Sequence, residues 1–362
     1  MSELRETPLA GRHRELGAKL VPFAGYEMPV HYDGVLAEHK RVRDTCGIFD
    51  VGHMGTVFVR GRDATPFLQS MLTNDVTKAA VGRAQYTVLC NDSGGVIDDL
   101  IISHLDEQPG RDDWMIVPNA ANIYEVVSAL EHSVARWDVA IHDASPSWGI
   151  IAVQGPAHEQ VLANALPGVS VGRFGVTKFD AGGHSTILSG TGYTGSPGVE
   201  IVAPHAAIAE YWDLLLEAAE AAEGGPAGLG ARDTLRLEMG YPLHGQDISP
   251  EISPLEAGLG WVVKLDGDDF QGADALRAQV AEGVTRTSVG FVMPDRRPAR
   301  SHCTVLDAAG DAIGEVTSGN YSPGLDRGIG LALVNTGSQP AAIDVRGRTI
   351  AIEVVETPFL KP

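Results

Sequence analysis

Two aspartates stand side by side in "GGVIDDLIISHL", residues 94–105, inside a run whose branched aliphatic residues favour a β-strand. Successive strand side chains point to opposite faces. Asp98 therefore shares a face with Val96, Leu100 and Ile102, and Asp99 shares one with Ile97, Ile101 and Ser103. Both sets are apolar, so periodicity leaves open which carboxylate enters a cavity. At least one is held at low dielectric, which costs several kcal/mol unless a cation or several donors compensate. A carboxylate held in that way is a functional-site candidate. The alternative is an edge strand with both carboxylates wet, or one of them bonded to backbone amides at a bulge.

Two further stretches carry chemistry. "SGTGYTGSPGVEI" (189–201) combines four glycines and two threonines in tight turns before a short strand. It sets Tyr193 on an exposed turn and Glu200 on the strand; a plain glycine-rich hairpin is the alternative. "GGPAGLGARDTLRLEMGYPLHGQD" (224–247) is a Gly/Pro loop that opens a helix, with Ala231, Arg232 and Asp233 near its first turn. Unpaired amides and the helix dipole there attract a carboxylate or phosphate, and Arg232 adds a bidentate donor. Equally, Asp233 caps the helix and Arg232 joins a surface ion pair. The stretch is no dinucleotide fingerprint, because the G-x-G-x-x-G spacing is missing and no βαβ unit surrounds it. There is no G-x-S-x-G, H-E-x-x-H, Walker loop or paired CxxC. His53 in "VGHMG" reads as a satisfied core or turn histidine, and no metal site is supported.

These residues need elements to position them. A helix is expected from Val35 to Thr45, then strand, turn and strand across 48–61, and a helix after Asp63, whose side chain accepts bonds from the next turn. Asn119 is placed to cap a helix bearing Ile123, Val126, Val127 and Leu130 at helical spacing. Strand and helix pairs across 51–145 suggest a ferredoxin-like subdomain. A strand at 148–156 precedes a helix from His158, and 206–223 is an amphipathic helix with Ile208, Tyr211, Trp212, Leu215 and Leu216 on one face. A connecting helix falls within 266–283. From about Thr287 short strands alternate with turns, the pattern of a small antiparallel barrel. The fold class is α+β, with a C-terminal β domain on a larger α+β body.

A chain of 362 residues suits two or three domains. Its net charge of −20 repels nucleic-acid phosphates, and no basic stripe offsets it, so nucleic-acid binding is excluded. No run approaches the ~20 apolar residues of a membrane span, and the polar N-terminus does not read as a signal peptide. Cys46, Cys90 and Cys303 are odd in number and far apart, which fits buried thiols in a reducing cytoplasm.

Taken in order, "LGAKLVPFAGYEMPVHY", "FDVGHMG", "GGVIDDLI", "NAANI", "QGP", "TGYTG", "GLGARDTLRLEMGYPLHGQD", "GLGWVVKL" and "VTSGNYSPGL" resemble the T-protein of the glycine cleavage system, an aminomethyltransferase family. The resemblance runs from about residue 7 to 358. It implies a three-domain cloverleaf around a central folate channel. The implied domains are a discontinuous folate-binding body (1–50 and 146–265), the ferredoxin-like subdomain (51–145) that carries the Asp98–Asp99 strand, and a C-terminal β-barrel (285–362). It also implies transfer of an aminomethyl group from the lipoyl arm of the H-protein to tetrahydrofolate, with no metal. By that resemblance the essential carboxylate is Asp99, toward the channel, with Asp98 away from it. The folate-contacting positions are Met54, Tyr86, Asn119, Tyr193, Glu200, Arg232, Tyr241 and Trp261. Arg232 then meets either the folate glutamate or a channel acid. The chain departs from the family pattern at Gly52, where serine is usual, at Gly190, where arginine is common, and at 195–198, where "GSPG" replaces "GEDG". These departures keep open a folate-dependent demethylase of the same fold acting on a free small methylated substrate.

Overall fold

The fold is taken from a computed structural model that describes residues 4–267 and 269–361. Helix α1 (Ala10–Glu15) leads to a hairpin of β1 (Lys19–Phe23) and β2 (Tyr26–His31), turned by Ala24 and Gly25, both at positive φ. Then come α2 (Val35–Asp44), β3 (Gly47–Asp50), β4 (Val57–Gly61), α3 (Ala64–Met71), β5 (Arg83–Cys90), β6 (Val96–Gln108), β7 (Arg111–Val117), α4 (Ile123–Ser133) and β8 (Val139–Asp143). The chain continues through β9 (Trp148–Gln154), α5 (His158–Ala165), β10 (Val176–Ala181), β11 (His184–Ser189), β12 (Gly198–Pro204), α6 (His205–Ala221), β13 (Gly225–Pro226) and α7 (Leu229–Glu238). It closes with α8 (Ala273–Glu282), β14 (Arg286–Val292), β15 (Thr304–Leu306), β16 (Ala312–Ser322), β17 (Arg327–Asn335), β18 (Ala342–Asp344), β19 (Thr349–Ala351) and β20 (Glu353–Val355). Among the described residues no helix is long and apolar enough to cross a membrane.

Two compact units divide the chain: 1–68, 76–86 and 100–232 form the first, and 69–75, 87–99 and 233–362 the second. The first contains a sheet ordered β10-β11-β12-β9-β3-β13, antiparallel except where β13 joins β3. Helices α5 and α6 cover it, and the apolar stripe expected on α6 is buried there through Ile208, Tyr211, Trp212 and Leu215. The Tyr211 hydroxyl is kept satisfied by Thr186 (3.0 Å) and the Ala181 carbonyl (3.1 Å), as a buried phenol requires. A second sheet runs β5-β6-β7-β4-β8. Leaving out β5 as an added edge strand, β8-β4-β7-β6 is the fourth, first, third and second strand of a βαββαβ run.

Strand β6 is an inner strand of that sheet, and β7 pairs with it from Ile101 onward, beyond the two aspartates. Burial along β6 alternates from Val96 to Ile102, and Ser103 to Leu105 are all buried. Val96, Asp98, Leu100 and Ile102 are buried, whereas Ile97, Asp99 and Ile101 are partly exposed. Tertiary packing thereby separates two faces that composition could not tell apart.

The C-terminal sheet, within the second unit, is ordered β19-β18-β15-β16-β17-β14-β20 around a core of Phe291, Val305, Val316, Val334 and Ile343. Hydrogen bonds do not close it, which corrects the expected barrel. Its two edge strands nevertheless follow each other in the chain with Ile352 alone between them. In a flat seven-stranded sheet the edges would be about 29 Å apart, six spacings of ~4.8 Å. One residue spans about 3.5 Å, so the sheet curls until its edges meet at Ile352.

Three local expectations change. Asp63 Oδ2 accepts the amide of Asp138 (2.9 Å), the residue just before β8, where that strand begins beside the end of β4. Asn119 makes no side-chain cap on the 3-10 turn at Ala120–Asn122. All three cysteines are free, but only Cys46 and Cys90 are buried; burial pushes each of these thiols up to about 12.

Candidate active site

The glycine-rich turn of 189–198 is built around one buried amide. Gln154, at the end of β9, sends Nε2 to the carbonyls of Thr191 (3.2 Å) and Val199 (3.3 Å), and its Oε1 accepts the Thr194 hydroxyl (2.8 Å). A Cβ at Gly192 would lie 2.0 Å from Gln154 Oε1, so the chain can wrap this tightly only where the side chain is missing. From the other side Arg43 Nη1 donates to the Thr194 carbonyl (2.7 Å) and to Ser196 Oγ (2.9 Å). Thus the departure at Ser196 contacts α2. Gly190 packs under the 172–175 loop, where a Cβ would sit 2.0 Å from the Gly172 carbonyl oxygen; no arginine fits there with this backbone.

This double clamp holds Tyr193 half-buried under Arg232, whose guanidinium carbon lies 4.8 Å from the ring centroid. Stacking of that kind contributes about 0.5–2 kcal/mol, more as water is excluded. Glu200, on β12, accepts the Thr191 hydroxyl, and its charge reaches Arg232. Burial pulls the Arg232 guanidinium below its usual value, while Glu200 and the Tyr193 phenol push it back up. Arg232 Nη1 is buried with no hydrogen-bond partner. Tyr193, Glu200 and Arg232 are therefore brought together, and the expected exposed turn and surface ion pair are both corrected.

The start of α7 also differs from the expected open anion site. The Arg232 amide is already bonded to the Gly228 carbonyl (3.1 Å), and the Gly228 amide donates to Glu38 Oε2 (2.9 Å). Glu38 is wholly buried, and its other oxygen accepts the amides of Tyr32, Asp33 and Gly34. The protein's own carboxylate thus occupies the place an external anion would take. Asp233 does not end as a cap either. It accepts Arg236 Nε (2.9 Å) and Asn320 Nδ2 (2.7 Å).

In the turn between β3 and β4, Met54 is partly buried and its amide closes on the Val51 carbonyl (3.0 Å). His53 in the same turn is 2% exposed, with Phe23 edge-on at 5.4 Å. It is not satisfied as expected: Nδ1 has no partner. Burial lowers it to about 4; Asp50 opposes that shift and Arg232 adds to it, so the ring is neutral at pH 7. Asp50 is committed elsewhere, to the Thr7 hydroxyl (2.6 Å), His13 Nε2 (2.8 Å) and the Gly52 amide (2.7 Å). Burial would raise its carboxyl, but these donors hold it below the usual range. A serine at position 52 would bring its Cβ 2.9 Å from Asp50 Oδ1, which glycine avoids.

Tyr86 on β5 and Asn119 after β7 are partly buried in the first unit. Asp99, Tyr241 and Trp261 belong to the second. There Tyr241 is partly buried, and its carbonyl accepts Arg236 Nη1 (3.0 Å). Trp261 is 62% exposed, on the 3-10 turn Gly260–Val262. Sequence reading did not single out Gln154, Glu38 or Arg43 as positioning groups. Only "QGP" carried a signal for any of them.

Family comparisons agree along the chain. The GCVT N-terminal domain model matches residues 9–267, and the glycine cleavage T-protein C-terminal barrel domain model matches 286–361. The aminomethyltransferase of Parafrankia sp. is 44% identical over 365 residues, covering 99% of both chains. That of Herpetosiphon aurantiacus is 42% identical over 364 residues, again covering 99% of both. The crystal structure of the glycine cleavage system aminomethyltransferase T from Bartonella henselae superposes with a TM-score of 0.92 at 33% identity, covering 99% of this chain and 98% of that one. This chain belongs to the glycine cleavage T-protein family, an enzyme family of aminomethyltransferases.

Proposed function

We propose that the chain transfers the one-carbon unit of an S-aminomethyl-dihydrolipoyl H-protein to tetrahydrofolate. The products are 5,10-methylenetetrahydrofolate, ammonia and the dihydrolipoyl arm, as glycine catabolism requires. The observation that carries this reading is the Tyr193–Glu200–Arg232 group with its unpaired Arg232 Nη1. It offers a flat polar heterocycle an aromatic face, a carboxylate acceptor and a charged donor, so the residues fit a reduced pterin. Arg232 already feels the acid Glu200, which favours its pairing with a protein carboxylate over the folate glutamate. When bound, tetrahydrofolate supplies the secondary amine that captures the one-carbon unit. Met54, Tyr86, Asn119, Tyr241 and Trp261 are assigned as further folate contacts by the family resemblance. The cloverleaf with a central channel, and the three-domain division given above, belong to the same reading; the β8-β4-β7-β6 order supports its ferredoxin-like subdomain.

Asp99 is assigned the central electrostatic role. Breaking the C–S bond leaves a thiolate and develops positive charge on the methylene carbon. A preorganised carboxylate stabilises that charge, and removing a comparable group costs roughly 3–4 kcal/mol. The burial alternation along β6 supports the choice, since Asp98 is sealed at 0% exposure while Asp99 lies on the partly open face. Positioning and electrostatics are assigned to Asp99 in preference to direct proton transfer.

The test is direct. The protein is mixed with tetrahydrofolate and aminomethyl-loaded H-protein, and methylenetetrahydrofolate and ammonia are followed together. Stoichiometric appearance of both is expected. No turnover with a correctly loaded carrier would overturn the proposal.

A further inference from the structure

His53 is buried to 2% exposure in a turn held by backbone hydrogen bonds. The Val51 amide is tied to the Ile150 carbonyl (3.0 Å), the Met54 amide to Val51 (3.0 Å), and the Gly55 amide to Pro118 (2.9 Å). Yet no protein group meets its Nδ1. Buried polar atoms in native proteins are nearly always paired, and an orphan is a net cost to folding. The nearby carboxylate does not serve it, because Asp50 is engaged by Thr7, His13 and the Gly52 amide. Phe23, at the tip of the β1–β2 hairpin, closes one side of the ring without offering a polar atom.

A second orphan lies within its electrostatic reach. Arg232 Nη1 is also buried and unpaired, and the Arg232 charge is one of the forces that keep His53 neutral. The cation offers a donor. A neutral imidazole offers one acceptor nitrogen and one N–H. Together they match the edge of a heterocycle that presents a ring N–H or amino group beside an acceptor.

We propose that His53 is a tetrahydrofolate-contacting residue, its Nδ1 accepting a hydrogen bond from an N–H of the bound pterin while Arg232 Nη1 donates to an adjoining acceptor. The proposal rests on reading Tyr193, Glu200 and Arg232 as the folate subsite. It adds a contact from the β3–β4 turn that stacking and charge pairing do not supply.

Two measurements test it. In the loaded-carrier assay, His53→Ala should raise KM for tetrahydrofolate about tenfold, the worth of one such hydrogen bond, with kcat within about threefold of the parent. His53→Asn, whose amide can stand where Nδ1 stood, should bring KM most of the way back; a merely structural role predicts no such rescue. In wild-type enzyme carrying 15N-histidine, the His53 Nδ1 resonance should sit at the position of an unbonded neutral nitrogen and move on addition of tetrahydrofolate. A folded His53→Ala variant with unchanged KM would overturn the proposal. So would an Nδ1 resonance already bonded in the free enzyme, to a trapped water, and unmoved at saturating tetrahydrofolate. Should His53→Ala not fold, the wild-type titration decides alone. Absence of wild-type turnover would instead count against the transfer reaction, and the titration would still report whether folate meets His53.

Discussion

Acidifying the protein should expose His53 as a specific weak point. In the unfolded chain an imidazole titrates at 6.5, whereas burial in the β3–β4 turn lowers it to about 4 in the folded state. Between those values the unfolded state binds a proton that the folded state refuses, so stability falls as pH drops through that window. For one group moving between these two values, acidification from pH 7 to pH 5 removes about 2 kcal/mol. Asp50 pulls His53 toward protonation and Arg232 opposes it; both effects are contained in the lowered value. The assay is urea unfolding at the two pH values, followed by tryptophan fluorescence, in wild type and in His53→Asn. The variant cannot take up that proton, so its stability should decline less by about 2 kcal/mol, other carboxylates and histidines cancelling in the difference. Parallel declines in the two proteins, within about 0.5 kcal/mol, would refute the burial argument.

Other perturbations follow from the same geometry. Asp99→Ala should lower kcat by roughly 10²–10³ with little change in melting temperature, whereas Asp98→Ala, at a position with 0% exposure, should chiefly lower stability; mild and equal effects in activity assays and thermal melts would contradict the face assignment. Arg236 is buried and binds Asp233, Asp247, Ser318 and the Tyr241 carbonyl. Arg236→Ala leaves the buried Asp247 carboxylate without its counter-charge and should cost about 3–5 kcal/mol in urea unfolding, and a loss below about 1 kcal/mol would show the network to be dispensable. Gly192→Ala drives a Cβ to 2.0 Å from Gln154 Oε1. It should destabilise by about 1–3 kcal/mol and raise KM for tetrahydrofolate by displacing Tyr193, which steady-state kinetics would read.

What the sequence determined by itself was local. Glycines at 192, 195 and 198 announced a turn that brings Tyr193 up before the Glu200 strand, helical spacing marked the buried face of α6, and paired aspartates in an aliphatic strand marked β6 as unusual. Each of these signals depends on residues a few positions apart, where backbone geometry alone relates side chains. The family resemblance extended this to roles, because motif order survives where single motifs are ambiguous. Other matters were decided only when distant segments packed. The open and sealed faces of β6 are equally apolar in sequence, and only neighbouring elements make Asp98 the buried one. Glu38 meets the Gly228 amide 190 positions later, and Arg43 meets Thr194 after 151, so neither could be read from spacing. Nor could the curled, hydrogen-bond-open C-terminal sheet, the exposure of Trp261, or the unpaired nitrogen of His53. Whether a polar atom is satisfied depends on every group that surrounds it in space, and periodicity carries no information about those groups.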